Sequence, residues 1–161
     1  MTALISSLPI LCGNSAEITP PAGHYSHICV AGGFVHISGQ LPVDATGTPL
    51  ADHSFADQVK QVLANVDGCL RKAGVDRRSL VQVRVYVTDI KEWPLFNKIY
   101  AGWIGEHRPA RAVAGVSELH YGAAVEVEAL ALGLPGCAVS SSASEQVGRC
   151  LSFCSLNPDH G

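Results

Sequence analysis

Apolar and polar residues alternate with a period of two in several short stretches of the chain, which predicts β-strands. The stretch ICVAGGFVHIS, residues 28–38, consists of two β-rich runs broken by Gly32 and Gly33, which is the pattern of a hairpin. Residues 80–88 alternate strictly and predict a strand whose apolar face carries Val81, Val83, Val85 and Val87. Further strands are predicted at about 110–116 and 123–132.

Apolar residues that recur at spacings of three and four predict two helices. Ser54 precedes the first helix as an N-cap, and Gly74 follows its last turn as a stop. The second helix is predicted from Trp93 to Ile104, with Pro94 in its first turn. The apolar stripes of the two helices are Phe55, Val59, Val62, Leu63, Val66 and Leu70, and then Trp93, Phe96, Ile99, Tyr100 and Trp103.

The elements follow one another in the order β-β-α-β-α-β-β, which predicts an α+β fold, a mixed sheet with two helices on one face. The other face of that sheet is then left uncovered. Residues 1–20 show no regular pattern and are predicted to form an irregular N-terminal leader, which leaves residues 21–134 as the folded domain. Residues 135–161 are rich in serine and glycine, without a period, and are predicted to form a mobile tail.

The last predicted strand, VEVEALAL, places carboxylates on the uncovered face of the sheet. Alternate residues from Val125 to Ala131 point toward the helices. A face that carries both carboxylates and leucines is neither an ordinary core nor an ordinary solvent surface. It favours a surface between subunits that contains a polar pocket. The residues on this face are Glu126, Glu128, Leu130 and Leu132.

Three residues are candidates for binding or chemistry. Arg111 offers a rigid fork that can hold a small carboxylate, or can pair with Glu126 or Glu128, and its burial without either partner would be too costly. Glu126 can act as a general base toward a water molecule, or can be a solvated carboxylate. Tyr25 follows proline and glycine on a loop, and it either lines a pocket or is an ordinary surface tyrosine.

Composition narrows the classes of partner. The chain has 161 residues, of which 47% are hydrophobic and 16% charged, and this low charge favours burial against other copies of the chain. A net charge of −3 and the lack of a lysine- and arginine-rich run argue against a nucleic-acid partner. No apolar stretch is long enough to span a bilayer, and the N-terminal stretch lacks the basic residues of a signal peptide.

Motifs for metals and cofactors are missing from the sequence. His24 and His27 have H-x-x-H spacing, but no further ligand completes a metal site, so no metal is predicted. The sequence contains no GxGxxG, Walker or GxSxG motif, so we predict no nucleotide cofactor and no nucleophilic triad. The six cysteines lack CxxC pairing and predict the free thiols of a cytoplasmic protein. The residues alone therefore predict a small carboxylate-binding α+β oligomer.

Four stretches together resemble the RidA (YjgF) family: HYSHICVAGGFVHISGQLP, VRVYVTDIKEWPLFNKIYAGWI, PARAVAGV and VEVEALAL. The resemblance covers roughly residues 20–133. It implies a chorismate-mutase-like fold assembled as a homotrimer, with the sheets in a central barrel and active sites in clefts between subunits. It also implies hydrolysis of reactive imines and enamines, such as 2-iminopropanoate and 2-iminobutanoate, to 2-oxo acids and ammonia without a metal or organic cofactor.

The resemblance assigns roles to five residues. Arg111, directly after Pro-Ala, matches the arginine that holds the substrate carboxylate, and Glu126 matches the residue that orients or activates the attacking water. Tyr25 matches a loop tyrosine, Asn97 a pocket asparagine, and Gly39 a position whose backbone lines the pocket. Tyr25 is expected to belong to a different subunit's share of the cleft from Arg111.

The chain departs from the family pattern around this pocket. Val113 stands where many members have cysteine, His120 stands where proline is usual, and His24 replaces a residue that is often proline. These departures leave two enzymatic alternatives, a deaminase of small 2-imino acids and a pathway-dedicated deaminase of a larger unsaturated amino acid. A non-enzymatic module that binds small carboxylates and a ribonuclease are further alternatives, and the acidic net charge counts against the ribonuclease.

Overall fold

Six strands form one mixed sheet in the computed structural model, which describes residues 10–133 of the chain. Their spatial order is β1-β2-β3-β6-β4-β5. All neighbouring strands are antiparallel except β4 and β5, which run parallel. The predicted α+β class and mixed sheet are confirmed. The strands are β1 (Leu11–Gly13), β2 (Ile28–Ala31), β3 (Phe34–Gln40), β4 (Leu80–Val87), β5 (Ala110–Gly115) and β6 (Val125–Leu132).

Strand β1 was not predicted. Its three residues pair antiparallel with β2, so the prediction of an irregular leader over residues 1–20 is wrong at Leu11–Gly13. A strand this short carries too few residues to show a period, and it is held by its pairing with β2. The tail predicted for residues 135–161 lies outside the described residues, together with Cys137, Cys150 and Cys154.

Both predicted helices are present, α1 (Phe55–Lys72) and α2 (Trp93–Ile104). The Ser54 hydroxyl accepts a hydrogen bond from the Asp57 backbone N–H at 3.2 Å, which confirms the predicted N-cap. Trp93 is 40% exposed, so its predicted place on the apolar face of α2 is wrong. A helical side chain leans toward the N-terminus, and at the first residue of a helix it therefore extends beyond the turns that pack on the sheet. Neither helix is long and apolar enough to cross a membrane, within the part of the chain that the structure describes.

The core lies between the helices and one face of the sheet. The alternation predicted for β6 is confirmed, because Val125 and Val127 are fully buried. In β4 the alternation is interrupted by a register shift between Leu80 and Gln82. Leu80 is buried there and Val81 is 42% exposed, so the prediction that Val81 belongs to the buried face is wrong. The other fully buried side chains include Val59, Val62, Val66, Val87 and Phe96.

The opposite face of the sheet has no element packed on it within residues 10–133, and we call it the open face. It mixes exposed apolar residues, such as Phe34 and Leu132, with charged ones. Arg84 of β4 donates to the Glu128 carboxylate of β6 at 2.6 Å, and the two residues are direct cross-strand partners. The structure therefore agrees with the predicted uncovered face.

Candidate active site

Glu126 lies on the open face of β6, directly against Gly39 of β3. A Cβ atom at Gly39 would collide with Oε1 of Glu126, so any other residue at this position would displace the carboxylate. The register between β3 and β6 shifts between Ile37 and Gln40, and Gly39 lies in this irregular segment. The glycine of the SGQ motif therefore makes room for the carboxylate at a bulge in the sheet.

The surroundings of Glu126 favour its protonated form. Burial raises the pKa of Glu126, the negative charge of Glu128 raises it further, and His120 partly opposes both effects. Glu126 forms no ion pair among the described residues, whereas Glu128 is held by Arg84 and accepts from the Tyr86 hydroxyl at 3.3 Å. Of the two carboxylates, Glu126 is the one left for a ligand. A carboxylate with a raised pKa is also a better proton acceptor near neutral pH.

A cavity of about 390 Å³ is lined by Gly39, the glycine that contacts Glu126, although Glu126 itself is not among its lining residues. Tyr25 and Gly39 both line it, so the structure brings these two predicted residues together. His120 and Tyr121, from the 3-10 turn His120–Gly122 before β6, line it as well. We call Tyr25, Gly39 and Glu126 the glutamate cluster.

Arg111 belongs to a second group at the other side of the sheet. Its Nη2 donates to Oδ1 of Asn97 at 2.7 Å, and its guanidinium lies 4.8 Å from the centroid of the Tyr100 ring. Asn97 and Tyr100 are both on α2. We call Arg111, Asn97 and Tyr100 the arginine cluster. In the part of the chain that the structure describes, the guanidinium is thus held in place by one neutral hydrogen bond and one ring, and most of its donors remain for an anion.

The alternative prediction, that Arg111 pairs with Glu126 or Glu128, is wrong. Strand β4 lies between β5 and β6, so Arg111 is not on a strand next to either glutamate. The carboxylate of Glu128 is also paired with Arg84. The sequence shows which residues lie on strands, but it does not show that β4 separates β5 from β6 in the sheet.

Arg111 and Glu126 lie on opposite faces of the sheet within one chain. Arg111 is the direct partner of Val83, whose side chain is buried under the helices, and directly paired residues share a face. Glu126 is the direct partner of Tyr86, three positions along β4 from Val83 and thus on the other face. A small ligand therefore cannot contact both side chains of the same chain.

Several residues near the two clusters were not predicted to take part in the site. Tyr121 has a backbone φ of +62° although it is not glycine, a conformation that the sequence does not reveal. The Tyr100 hydroxyl is buried and has no hydrogen-bond partner within residues 10–133. The sequence shows that His120 departs from the family pattern. It does not show that His120 lies near Glu126, because that depends on how the turn before β6 folds back.

His27, one of the two histidines with H-x-x-H spacing, has a structural role. The Nδ1 atom of His27 accepts from the Ser15 backbone N–H at 3.1 Å, and burial lowers the pKa of His27. Its backbone N–H donates to the Asn14 side chain at 3.0 Å. His27 thus fastens the segment that follows β1 to the start of β2. Within the described residues, no three His, Cys, Asp or Glu side chains are grouped as metal ligands.

Comparison with known proteins decides the family. The family model described as Endoribonuclease L-PSP matches residues 16–133. This chain belongs to that family, the RidA (YjgF) family. A RutC family protein of Pyrococcus horikoshii is 36% identical over 111 residues, which are 69% of this chain and 88% of the relative. The human 2-iminobutanoate/2-iminopropanoate deaminase is 31% identical over 122 residues, which are 76% of this chain and 89% of the relative.

Solved structures of RidA relatives have the same fold. The crystal structure of yeast Mmf1 matches with a TM-score of 0.75 at 29% identity. The match covers 78% of this chain and 100% of the Mmf1 chain. The YjgF gene product of E. coli matches with a TM-score of 0.71 at 28% identity and covers 76% of this chain and 98% of its own. The predicted family and fold are thus confirmed.

Proposed function

We propose that this RidA protein is a hydrolytic deaminase that converts reactive 2-imino acids and their enamines to 2-oxo acids and ammonia. Relatives named 2-iminobutanoate/2-iminopropanoate deaminase, from human and cattle, are 31% and 32% identical to it. The observation that carries the proposal is that one chain supplies, in two separate clusters, both a carboxylate with a raised pKa, Glu126, and an arginine whose donors are largely unused among the described residues, Arg111. A conjugated imino acid needs one group for its carboxylate and another for the water that attacks it.

The proposed site is completed by a second copy of the chain. Because Arg111 and Glu126 lie on opposite faces, the arginine cluster of one subunit has to approach the glutamate cluster of its neighbour. We propose a homotrimer in which three such clefts form and the open faces together make a central barrel. The exposed Phe34 and Leu132 on the open face support burial of that face between subunits.

In the proposed reaction, Arg111 holds the substrate carboxylate and so fixes the imine carbon next to a water molecule. Glu126 accepts a proton from this water as the water oxygen bonds to the imine carbon, and it passes this proton to the nitrogen as the C=N double bond becomes single. The resulting carbinolamine loses ammonia as the C=O bond forms, with the second nitrogen proton delivered through Glu126. Orientation contributes much of the rate, since the conjugated imine is already electrophilic. Gly39 leaves space for the carboxylate, and Tyr25 lines the cavity beside it.

A coupled assay tests the proposal. Threonine dehydratase supplies 2-iminobutanoate, semicarbazide traps what survives, and the protein is expected to lower the yield of the imine-derived semicarbazone. Arg111→Ala should lower kcat/KM roughly 100-fold, because the substrate loses the group that orients it. Arg108→Ala is the matched control, since Arg108 is exposed and, among residues 10–133, donates only to the Gly105 and His107 carbonyl oxygens. Unchanged trapping by wild type, together with measurable binding of 2-oxobutanoate, would instead identify a carboxylate-binding module.

Ribonuclease activity, which the name of the family model suggests, has less support. Four arginines in the described residues, Arg71, Arg77, Arg78 and Arg84, each pair with a carboxylate within 2.6 Å. Their charges are thus neutralised within the protein and do not form a basic surface for phosphates. For location we propose the cytoplasm, on the support of the free thiols of Cys12, Cys29 and Cys69, although one relative, yeast Mmf1, is named as mitochondrial.

A further inference from the structure

The cavity beside Glu126 has apolar walls although several polar residues line it. Gln40 Nε2 donates to the Ser38 carbonyl at 2.8 Å, and Asn65 Nδ2 donates to the Leu41 and Val43 carbonyls at 3.0 Å each. The ring of His27 is likewise occupied by the Ser15 backbone. These polar groups are already satisfied by the protein and offer little to a guest. The apolar lining residues are Ile18, Pro20, Ala22, Leu41, Val43 and Pro49.

Two residues that line the cavity, Gly39 and His120, link it to Glu126, which does not line it. Gly39 lines the cavity and also contacts the Glu126 carboxylate. His120 lines the cavity and is one of the groups that affect the pKa of Glu126, which it lowers. Gly39 and His120 are therefore the residues past which a ligand with its reacting carbon beside Glu126 would extend to reach the cavity.

Two tyrosines stand at the cavity and are half exposed, Tyr25 at 49% and Tyr121 at 54%. Tyr121 keeps a left-handed backbone with φ of +62°, which costs a non-glycine residue free energy and would suit glycine better. Its ring lies 6.2 Å from that of His120. An aromatic side chain at this strained position points to a use for the ring itself, as a wall for an apolar or aromatic guest.

We propose that this cavity binds the side chain of the substrate, and that the protein prefers 2-imino acids with a bulky apolar or aromatic side chain over 2-iminobutanoate. His120 and Tyr121 are then specificity-determining residues. The inference rests on the proposed deaminase function. A volume of about 390 Å³ is in the range of sites that enclose drug-sized ligands, and the ethyl group of 2-iminobutanoate would fill only a small part of it.

The experiment compares imines of different size. L-amino-acid oxidase supplies the imines of phenylalanine and leucine, threonine dehydratase supplies 2-iminobutanoate, and semicarbazide trapping gives kcat/KM for each. Ala22→Phe places a ring in the cavity from an exposed loop position. Ala64→Phe, at an exposed position of α1 that does not line the cavity, is the matched control. Calorimetric binding of phenylpyruvate and 2-oxobutanoate, the two product acids, supplies a readout that does not need turnover.

Wild type is expected to act on the phenylalanine imine with a kcat/KM at least about tenfold above that for 2-iminobutanoate. Ala22→Phe should reduce this ratio about tenfold, and Ala64→Phe should leave it unchanged. Equal or faster hydrolysis of 2-iminobutanoate by wild type, or a ratio that Ala22→Phe does not change, overturns the size preference while the deaminase proposal stands. If no imine is hydrolysed, the deaminase proposal fails, and the preference fails with it. In that case tighter binding of phenylpyruvate than of 2-oxobutanoate would mark the cavity only as a site for aromatic acids.

Discussion

The two faces of the sheet show how one strand serves two purposes. In β6, Val125 and Val127 are fully buried under the helices, whereas Glu126 and Glu128, the residues that follow each of them, lie on the open face. The helix-covered face is complete within one chain, and its packing stabilises the fold. The open face holds a carboxylate with a raised pKa, an ion pair and exposed apolar residues, and it is complete only in the proposed assembly. The comparison teaches that alternate residues of one strand can serve the core on one face and the proposed site on the other.

Removal of a side chain from the covered face should have the largest effect on stability. Phe96 is fully buried and its ring stacks on that of Tyr100 at 5.7 Å between centroids. Phe96→Ala is expected to lower the free energy of unfolding by about 3–5 kcal/mol because it leaves a cavity. Leu95→Ala, at a 39% exposed position of the same helix, should cost no more than about 1 kcal/mol. Urea unfolding measures both, and equal losses would contradict a core confined to the covered face.

On the open face, Glu126→Gln should separate activity from stability. The amide cannot accept the proton from water, so kcat is expected to fall about 100-fold. The free energy of unfolding at neutral pH should not fall, because burial disfavours the charge that the substitution removes. Kinetics and urea unfolding of the same preparation check both statements. A variant that keeps its kcat would remove Glu126 from the mechanism.

The raised pKa of Glu126 also predicts two opposite pH dependences. Activity should rise with pH through the raised pKa as the carboxylate becomes available, and this limb should be absent in Glu126→Gln. The folded state keeps the proton over a range in which the unfolded chain has lost it. The free energy of unfolding contributed by Glu126 therefore falls as pH rises from the ordinary pKa of glutamate toward the raised one. An activity limb at or below the ordinary value would contradict the burial of this carboxylate.

In the arginine cluster, Asn97→Ala should act on substrate binding through Arg111. Asn97 fixes the guanidinium by the 2.7 Å hydrogen bond, and loss of that bond is expected to raise KM roughly tenfold with a smaller change in kcat. Lys98→Ala, at the exposed neighbouring position, is the control. Steady-state kinetics distinguish the two, and a change in kcat alone would argue against a positioning role for Asn97.

The smallest effect is expected at the ion pair on the open face. Arg84 and Glu128 have side chains 51% and 31% exposed in the single chain, and an exposed ion pair of this kind contributes little to the free energy of unfolding. A double-mutant cycle of Arg84→Ala and Glu128→Ala in urea unfolding measures the coupling. A large coupling would show that the pair is desolvated, as burial in an intersubunit barrel would require.

The strand and helix pattern could be predicted where the period was long enough to read. Residue spacing predicts the alternation of β6 and the apolar stripe of α1. It also predicts that Glu126 lies on the uncovered face of the sheet. Val81 could not be placed, because a one-residue register shift moves a side chain to the other face without changing the sequence pattern. The contact of Arg111 with Asn97 depends on β5 lying beyond β4 at the sheet edge, which is a property of strand order.

The central claim is that one site takes Arg111 from one copy and Glu126 from another, and mixing two inactive variants tests it most directly. Arg111→Ala and Glu126→Gln subunits are refolded together in equal amounts, native mass spectrometry verifies the mixed trimers, and imine hydrolysis is measured. Random mixing gives each interface an intact pair with a probability of roughly one quarter, so about a quarter of wild-type activity should return. Mixed trimers that show only the average residual activity of the two variants would contradict a site shared between subunits.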